Sequence, residues 1–357
     1  MAASALVACV LLAAAPATVV DPYDALRDAV NAAYAADDHD ALAAAAARAL
    51  PFRPGYPTLN YLLAYAHAAA GRPDEALDAL LALSARGVLP PHVENHADVF
   101  APMHALPAAA ALHARLARLA EPRGVARRVP VPHTAGAVVE GVAVATDGTL
   151  YLGSVRNGGV AVRRVDGSSA HWDAPAGSTM GLHLDATGRR LWVAVAPLAQ
   201  YAGAPEPSTG LVVLDARTGE RLAWHPLVAD GAHAFGDFVL LADGGVVATD
   251  SLGGGAYALD AGGHWRAIGA LAALRSPQGI VELDDHSLVI ADYARGLYRY
   301  SPAAGLSRIA DGAGVPYGID GLYRHGDALL AVQNGIAPHR LSRYTLDADA
   351  TRIAARR

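Results

Sequence analysis

The chain contains no lysine, so all 28 of its formally positive side chains are arginine. Together with the abundant alanine, this reads as the coding habit of a GC-rich bacterial genome and carries no functional content. A strong charge of either sign is also missing. Twenty-eight cations against 34 acids leave a formal net charge of -6, and no basic cluster is visible. That excludes the electrostatic footprint of a nucleic-acid or anionic-membrane binder. Charged residues make up only 17% of the 357 residues and hydrophobic ones 53%, which excludes intrinsic disorder and supplies one large core or two smaller ones. A single cysteine, Cys9, excludes a disulfide framework.

The apolar run within residues 1–17 is too short for a stable membrane span. It ends in Ala15-Pro16-Ala17, a small-x-small site of the kind signal peptidase cuts. No Lys or Arg precedes it, so the usual positive start of such a segment is absent. The expectation is a signal peptide over residues 1–17 and a periplasmic or secreted bacterial protein, whose mature chain would carry no cysteine. Leu6-Val7-Ala8-Cys9 resembles a lipoprotein box but lies too early, with apolar residues continuing after it, and acylation is not expected.

From 21 to 120 the apolar period is 3.6. It predicts helices over Tyr23–Ala36, Ala41–Leu50, Leu59–Ala70 and Pro73–Arg86. Asp74-Glu75, after Gly71-Arg72-Pro73, gives the last of these a start that suits the helix dipole. Ala64, Gly71, Ala76 and Leu80 follow the small-small-small-large spacing of a tetratricopeptide repeat. Two uses stay open: a groove for a protein partner, and a helical cap packed on the remainder of the chain. Pro122-Arg123-Gly124 marks the boundary.

The rest of the chain, 125–357, repeats one pattern five times, in Glu140–Val155, Met180–Val195, Gly236–Ser251, Gln278–Tyr293 and Asp320–Asn334. Each copy is a short apolar strand, a tight polar turn and a second apolar strand, the signature of a β-hairpin. A period of roughly 40 residues, stretched where Ala196–Gly210 is inserted, reads as the blades of a β-propeller. The expected fold class is therefore α+β multidomain: an α-helical, tetratricopeptide-like domain followed by an all-β propeller with five recognisable blades. The insert carries Tyr201, Pro205 and Pro207 and is either a lid or a decorative loop.

In a propeller the innermost strands line a central channel, so the starts of first strands and the ends of second strands share one face. The first column reads Glu140, Met180, Gly236, Gln278 and Asp320, with Asp237 one place on. The second holds Ser154, Asp250, Asp292 and Asn334. Asp147-Gly148, Asp243-Gly244 and Asp284-Asp285 are turn formers. Glu140 and Asp320 stand where apolar or small residues would pack at lower cost. With amide oxygens beside them, they suit Ca²⁺, Mg²⁺ or Mn²⁺ better than zinc, since the column has no His or Cys. Alternatively they accept backbone N–H bonds or pair with arginines such as Arg156 and Arg295. His133, His183 and His233 stand near the same mouth. By position alone, Asp237, Asp250, Asp292, Tyr293, Arg295 and Asn334 are candidate substrate contacts.

The segments Glu140-Gly141-Val142, Ser276-Pro277-Gln278-Gly279-Ile280 and Ile319-Asp320-Gly321-Leu322 resemble the gluconolactonase/regucalcin (senescence marker protein) family from about Val131 to the C-terminus. The resemblance implies a six-bladed propeller with a divalent metal in its channel. It assigns the metal to Glu140, Gln278 and Asp320, with Gln278 in place of the family's asparagine and so displaced by one methylene. The family's substrate asparagine falls on Gly236 and is lost. It also implies Asp320 as the catalytic base for attack on a lactone carbonyl polarised by the metal. A shift of about 1 Å in one ligand can cost on the order of 10²-fold in rate.

After Asn334 the chain has room only for the outer strands of the fifth blade. The choice lies between closure with five blades and a shortened six-blade plan with an exposed sheet edge. The motifs favour the second, and Val125–Val131 could add one outer strand. Two functions stand: a metal-dependent hydrolase of a sugar lactone or related ester, and a non-enzymatic module that binds a small molecule at the channel mouth or a protein through its helices.

Overall fold

The computed structural model describes residues 22–91, 93–125, 129, 131 and 136–357. The expected signal peptide, Cys9 and His133 lie outside the described residues, as does most of the extra strand expected over 125–131. Helices run first: α1 Pro22–Ala35, α2 His39–Ala49, α3 Pro57–Ala69, α4 Pro73–Ala85, α5 Ala97–His104 and α6 Ala109–Ala120. The first four fall within two residues of the bounds read from periodicity. Asp38 caps α2 by accepting from Ala41 N at 2.9 Å. Proline opens α3 and α4, where a missing N–H costs nothing. Ala64, Ala76 and Leu80 are buried between helices, and Gly71 turns between α3 and α4 at φ 73°. No helix among the described residues is long and apolar enough to cross a membrane.

Five four-stranded antiparallel sheets follow, each in simple chain order. Blade 1 is β1 Val139–Val144, β2 Leu150–Ser154, β3 Val160–Arg163 and β4 Ser169–Trp172. Blade 2 is β5 Ser178–Leu184, β6 Arg190–Ala196, β7 Gly210–Asp215 and β8 Arg221–Pro226. Blade 3 is β9 Phe235–Leu240, β10 Val246–Asp250, β11 Ala256–Leu259 and β12 Trp265–Ala267. Blade 4 is β13 Pro277–Glu282, β14 Leu288–Asp292, β15 Gly296–Ser301 and β16 Gly305–Arg308. Blade 5 is β17 Ile319–His325, β18 Ala328–Gln333, β19 Arg340–Leu346 and β20 Ile353–Arg356. The chain is an N-terminal helical layer followed by a five-bladed β-propeller.

The apolar core lies between blades, one cluster per junction: Trp172 with Leu182, Phe235 with Met180, Tyr298 with Val247, and Leu322 with Val281. Each inner strand breaks register at its start. One extra residue is inserted between Val139 and Val142, Thr179 and Leu182, Phe235 and Asp237, Pro277 and Ile280, and Ile319 and Gly321. These are β-bulges, which bend a strand and re-aim a side chain. The column read from the sequence, Glu140, Met180, Gly236, Gln278 and Asp320, falls in the five bulges.

Glycine beside the bulge lets neighbouring blades touch backbone to backbone. A Cβ on Gly141 would stand 2.1 Å from Met180 O, and one on Gly279 2.3 Å from Leu322 N. Blade 5 has no such neighbour: a Cβ on Gly321 would meet only Tyr323 and Val332 of its own blade. Among the described residues β1 packs on β5, β5 on β9, β9 on β13 and β13 on β17, while β17 and β1 make no comparable contact. Val142 and Val144 on β1 are 42% and 59% exposed, and Val332 and Leu341 of blade 5 are 41% and 66% exposed. The arc is open at the seam between its last and first blades.

The helices dock on blade 5. Leu83, Val88 and Tyr56 pack on Val315, Tyr317 and Ile336, Tyr56 and Tyr317 lie 5.0 Å apart, and Leu89 N donates to Ala337 O at 2.8 Å.

The two glycines give a contrast. Gly279→Ala drives a methyl into Leu322 backbone and is expected to cost about 1–3 kcal/mol, as overpacking does. Gly321→Ala, at the open seam, is expected to cost clearly less. Urea-unfolding midpoints of the two variants against wild type check this.

Candidate functional site

The bulges of β1, β13 and β17, and Asp237 just after the bulge of β9, bring oxygen-bearing side chains to one end of the channel. Asp320 lies at the start of β17, where Asn334 Nδ2 donates to its Oδ2 at 2.6 Å. Asn334 in turn accepts at its Oδ1 from the Tyr293 hydroxyl at 3.0 Å. Two residues from the columns, Asp320 and Asn334, and the candidate contact Tyr293 thus form one hydrogen-bonded chain linking the end of β14, the end of β18 and the start of β17. Burial raises the Asp320 pKa above the ordinary carboxylate value, and Asp237 adds to it against the lowering effect of Asn334.

Glu140 is solvent-accessible, yet its carboxyl titrates at about 7: burial is the main cause, followed by the charges of Asp320 and Asp237. Tyr323, on β17, is pushed up to about 12 by burial and then by Asp237, Glu140 and Asp320. Tyr293 is raised by burial, then by Asp320 and Glu140. Glu140, Asp237 and Asp320 therefore share one electrostatic space. Among the described residues neither Glu140 nor Asp320 has a guanidinium partner.

Gln278 Oε1 lies over Gly236, 3.1 Å from where a Cβ on that glycine would stand, while its Nε2 donates to Ser276 Oγ at 3.3 Å. The absence of a side chain at Gly236 leaves room for the Gln278 amide. Asp237 is buried and accepts at Oδ1 from Phe238 N at 2.9 Å, with His183 Nε2 at 3.0 Å. His183 stands edge-on to Phe238 at 4.8 Å, a cross-blade contact between β5 and β9.

Three of the candidate substrate contacts, Asp250, Asp292 and Arg295, serve the framework instead. Asp250 is 0% exposed; its Oδ1 accepts from Ala234 N and Gly253 N at 3.0 and 2.8 Å, and its Oδ2 meets His233 Nδ1 at 2.5 Å. Burial lowers the His233 pKa, but the bond to Asp250 and a second to Asp230 O outweigh it and leave a net rise. Asp292 is buried, with Oδ2 accepting from Arg275 N at 2.8 Å. Arg295 Nη2 pairs with Asp24 of α1 at 3.1 Å and so helps hold the helices on blade 4. The 196–210 insert is tied down over blade 1, Ala202 N donating to Arg156 O at 2.8 Å and Glu206 N to Ala176 O at 2.7 Å.

The donor set suits a hard divalent cation in chemistry: carboxylates of Glu140 and Asp320, amide oxygen of Gln278 and no sulfur. In spacing it is open. Among the described residues no three His, Cys, Asp or Glu side chains form a group that could hold a metal ion.

No protein-family model matches the chain, and no curated protein sequence does. Solved structures similar to it include a protein of unknown function from Bacteroides caccae, with a TM-score of 0.48 and 14% identity over 62% of this chain and 81% of that one. Another is described as a "putative gluconolactonase", at TM-score 0.46 and 18% identity over 59% and 76%. Virginiamycin B lyase from Staphylococcus aureus scores 0.40 at 12% identity over 62% and 74%. At such scores the likeness adds nothing to the fold described from the chain's own strands.

The raised titration of Glu140 fixes the sign of a pH effect. A folded-state value of about 7 against an ordinary 4.5 means that ionisation favours the unfolded chain. Stability from this group is present below pH 4.5 and is lost as pH rises toward 7. In metal-free protein, Glu140→Gln is expected to melt above wild type at pH 8 and level with it at pH 4, read by thermal denaturation.

Proposed function

We propose that the channel mouth takes a divalent cation, calcium by preference, between Glu140, Gln278 and Asp320, and that the chain hydrolyses a sugar lactone or related ester there. The observation carrying this reading is the placing of Glu140, Asp237 and Asp320 on inner-strand starts with no guanidinium among them, near enough that Asp320 and Asp237 add to the rise that burial gives Glu140, and Asp237 to that of Asp320. Like charges gathered in this way hold a surplus that a cation neutralises. A bound divalent cation would polarise the lactone carbonyl and stabilise the oxyanion formed on attack.

The chain's own groups then have separate tasks. Asp320, with a raised pKa and one oxygen held by Asn334, accepts the proton of an attacking water. Tyr293 fixes Asn334 and through it the Asp320 carboxylate. Tyr323 stays protonated at neutral pH, so it can donate to a sugar hydroxyl. Asp237 is held by His183 and keeps the negative potential of the mouth without needing to move. The apolar segment before Ala15-Pro16-Ala17 supports a periplasmic or secreted setting for this activity.

The open spacing of the acids favours a second reading, a non-enzymatic module that binds a small molecule at the same mouth, with the helical layer as a surface for a protein partner. Calorimetric titration of calcium into metal-stripped protein, followed by a lactone-opening assay, separates the two. Stoichiometric binding abolished by Asp320→Ala, with metal-dependent opening that falls on the order of 10²–10⁴-fold in Asp320→Asn, is the expected result. Binding without opening above the buffer rate leaves the second reading. Absence of binding by calcium, magnesium and manganese alike overturns the metal site.

A further inference from the structure

At the seam between the helices and blade 5, two arginines meet with no acid between them. Arg340 opens β19, and Arg356 closes β20 directly opposite Tyr344 of β19. Arg340 Nη1 donates to Gly87 O at 2.7 Å, just beyond the end of α4. Arg356 Nη2 reaches the same glycine, 3.0 Å from where a Cβ would stand. The other donors are stranded: Arg340 Nε and Nη2 and Arg356 Nη1 are buried without a hydrogen-bond partner.

Five other guanidinium groups of the propeller pair with carboxylates: Arg295 with Asp24, Arg299 with Asp285, Arg308 with Asp311, Arg324 with Asp284 and Arg343 with Asp327. No carboxylate pairs with Arg340 or Arg356 among the described residues. Burial, and then the Arg356 charge, depress the Arg340 pKa to about 10.

Buried donors are ordinarily satisfied, and two adjacent buried cations without a counter-charge are costly. Guanidinium groups present their N–H donors in a planar fork that matches the oxygens of phosphate or sulfate. We propose that Arg340 and Arg356 form a clamp for a small inorganic oxyanion, of phosphate or sulfate type, which ties the Gly87 turn of the helical layer to the outer strands of blade 5. The clamp stands apart from the channel mouth and does not depend on any activity there. Its effect is structural coupling: the anion completes the contact that Leu89 N and Ala337 O make alongside.

Thermal denaturation of the full chain in chloride, sulfate and phosphate at matched ionic strength tests the clamp. Wild type is expected to show a saturable rise in melting temperature in phosphate or sulfate, as binding to the folded state alone requires. Arg356→Met and, separately, Arg340→Gln are expected to lose that rise and keep only the non-saturating stabilisation that kosmotropic salts give proteins in general. In chloride the Arg356→Met variant is expected to melt no lower than wild type, because it removes an unpaired buried charge. The proposal falls if wild type responds to ionic strength alone, or if both variants retain the full saturable response. A direct titration of inorganic phosphate by calorimetry, with one site per chain expected in wild type and none in either variant, tests the same clamp without reference to stability; no binding to wild type overturns it.

Discussion

Everything at the channel mouth depends on how closely two inner strands can approach. Each inner strand begins with a bulge, and in blades 1, 4 and 5 that bulge carries Glu140, Gln278 or Asp320. At blades 1 and 4 a glycine beside the bulge lies flat against the next blade, at separations that admit no Cβ. The bulge chooses which residue faces the channel and the glycine fixes the distance to its neighbour. Glu140 and Gln278 owe their places to the pair together. Had either glycine been larger, the blades would splay and the acids would no longer feel one another.

The acids in turn explain the aromatic residues around them. Burial first, and then the charges of the acids, raise Tyr293 and Tyr323 as they raise Glu140, so the mouth combines hydrogen-bond donors with carboxylate acceptors. A wall of that composition fits a polyhydroxylated ligand as well as a cation, which is why a binding module and a hydrolase are both compatible with one geometry. What distinguishes them is whether the acids close around an ion.

The blades and the first column are legible in the sequence because both follow from local chemistry. Polar residues set the hairpin turns, and the bulge recurs at one offset from the turn in blades 1 to 4 and one residue further in blade 5, so Glu140, Gln278 and Asp320 align by counting. The second column is harder to read. Asn334 does reach Asp320, but Asp250 and Asp292 accept backbone N–H groups from the segment leading into their own blade. That choice depends on where those donors lie in three dimensions. Arg295 stands by position among the possible substrate contacts; its partner Asp24 lies in the first helix, too far off in sequence for any local pattern to reveal. The pair of His183 and Asp237 crosses blades and leaves no motif, and Tyr323 reads in the sequence as one more strand aromatic.

The open seam also governs the mouth itself. Glu140 belongs to the first blade of the arc and Asp320 to the last, so the two acids sit at its free ends, and no strand pairing spans the space between them. Their separation is the closing error of the whole arc, summed over four blade junctions, as the gap of a split ring is set by the curvature of its metal. A small change of angle at any junction, even one remote from the channel, opens or narrows that gap, and the helices docked on blade 5 hold one jaw of it.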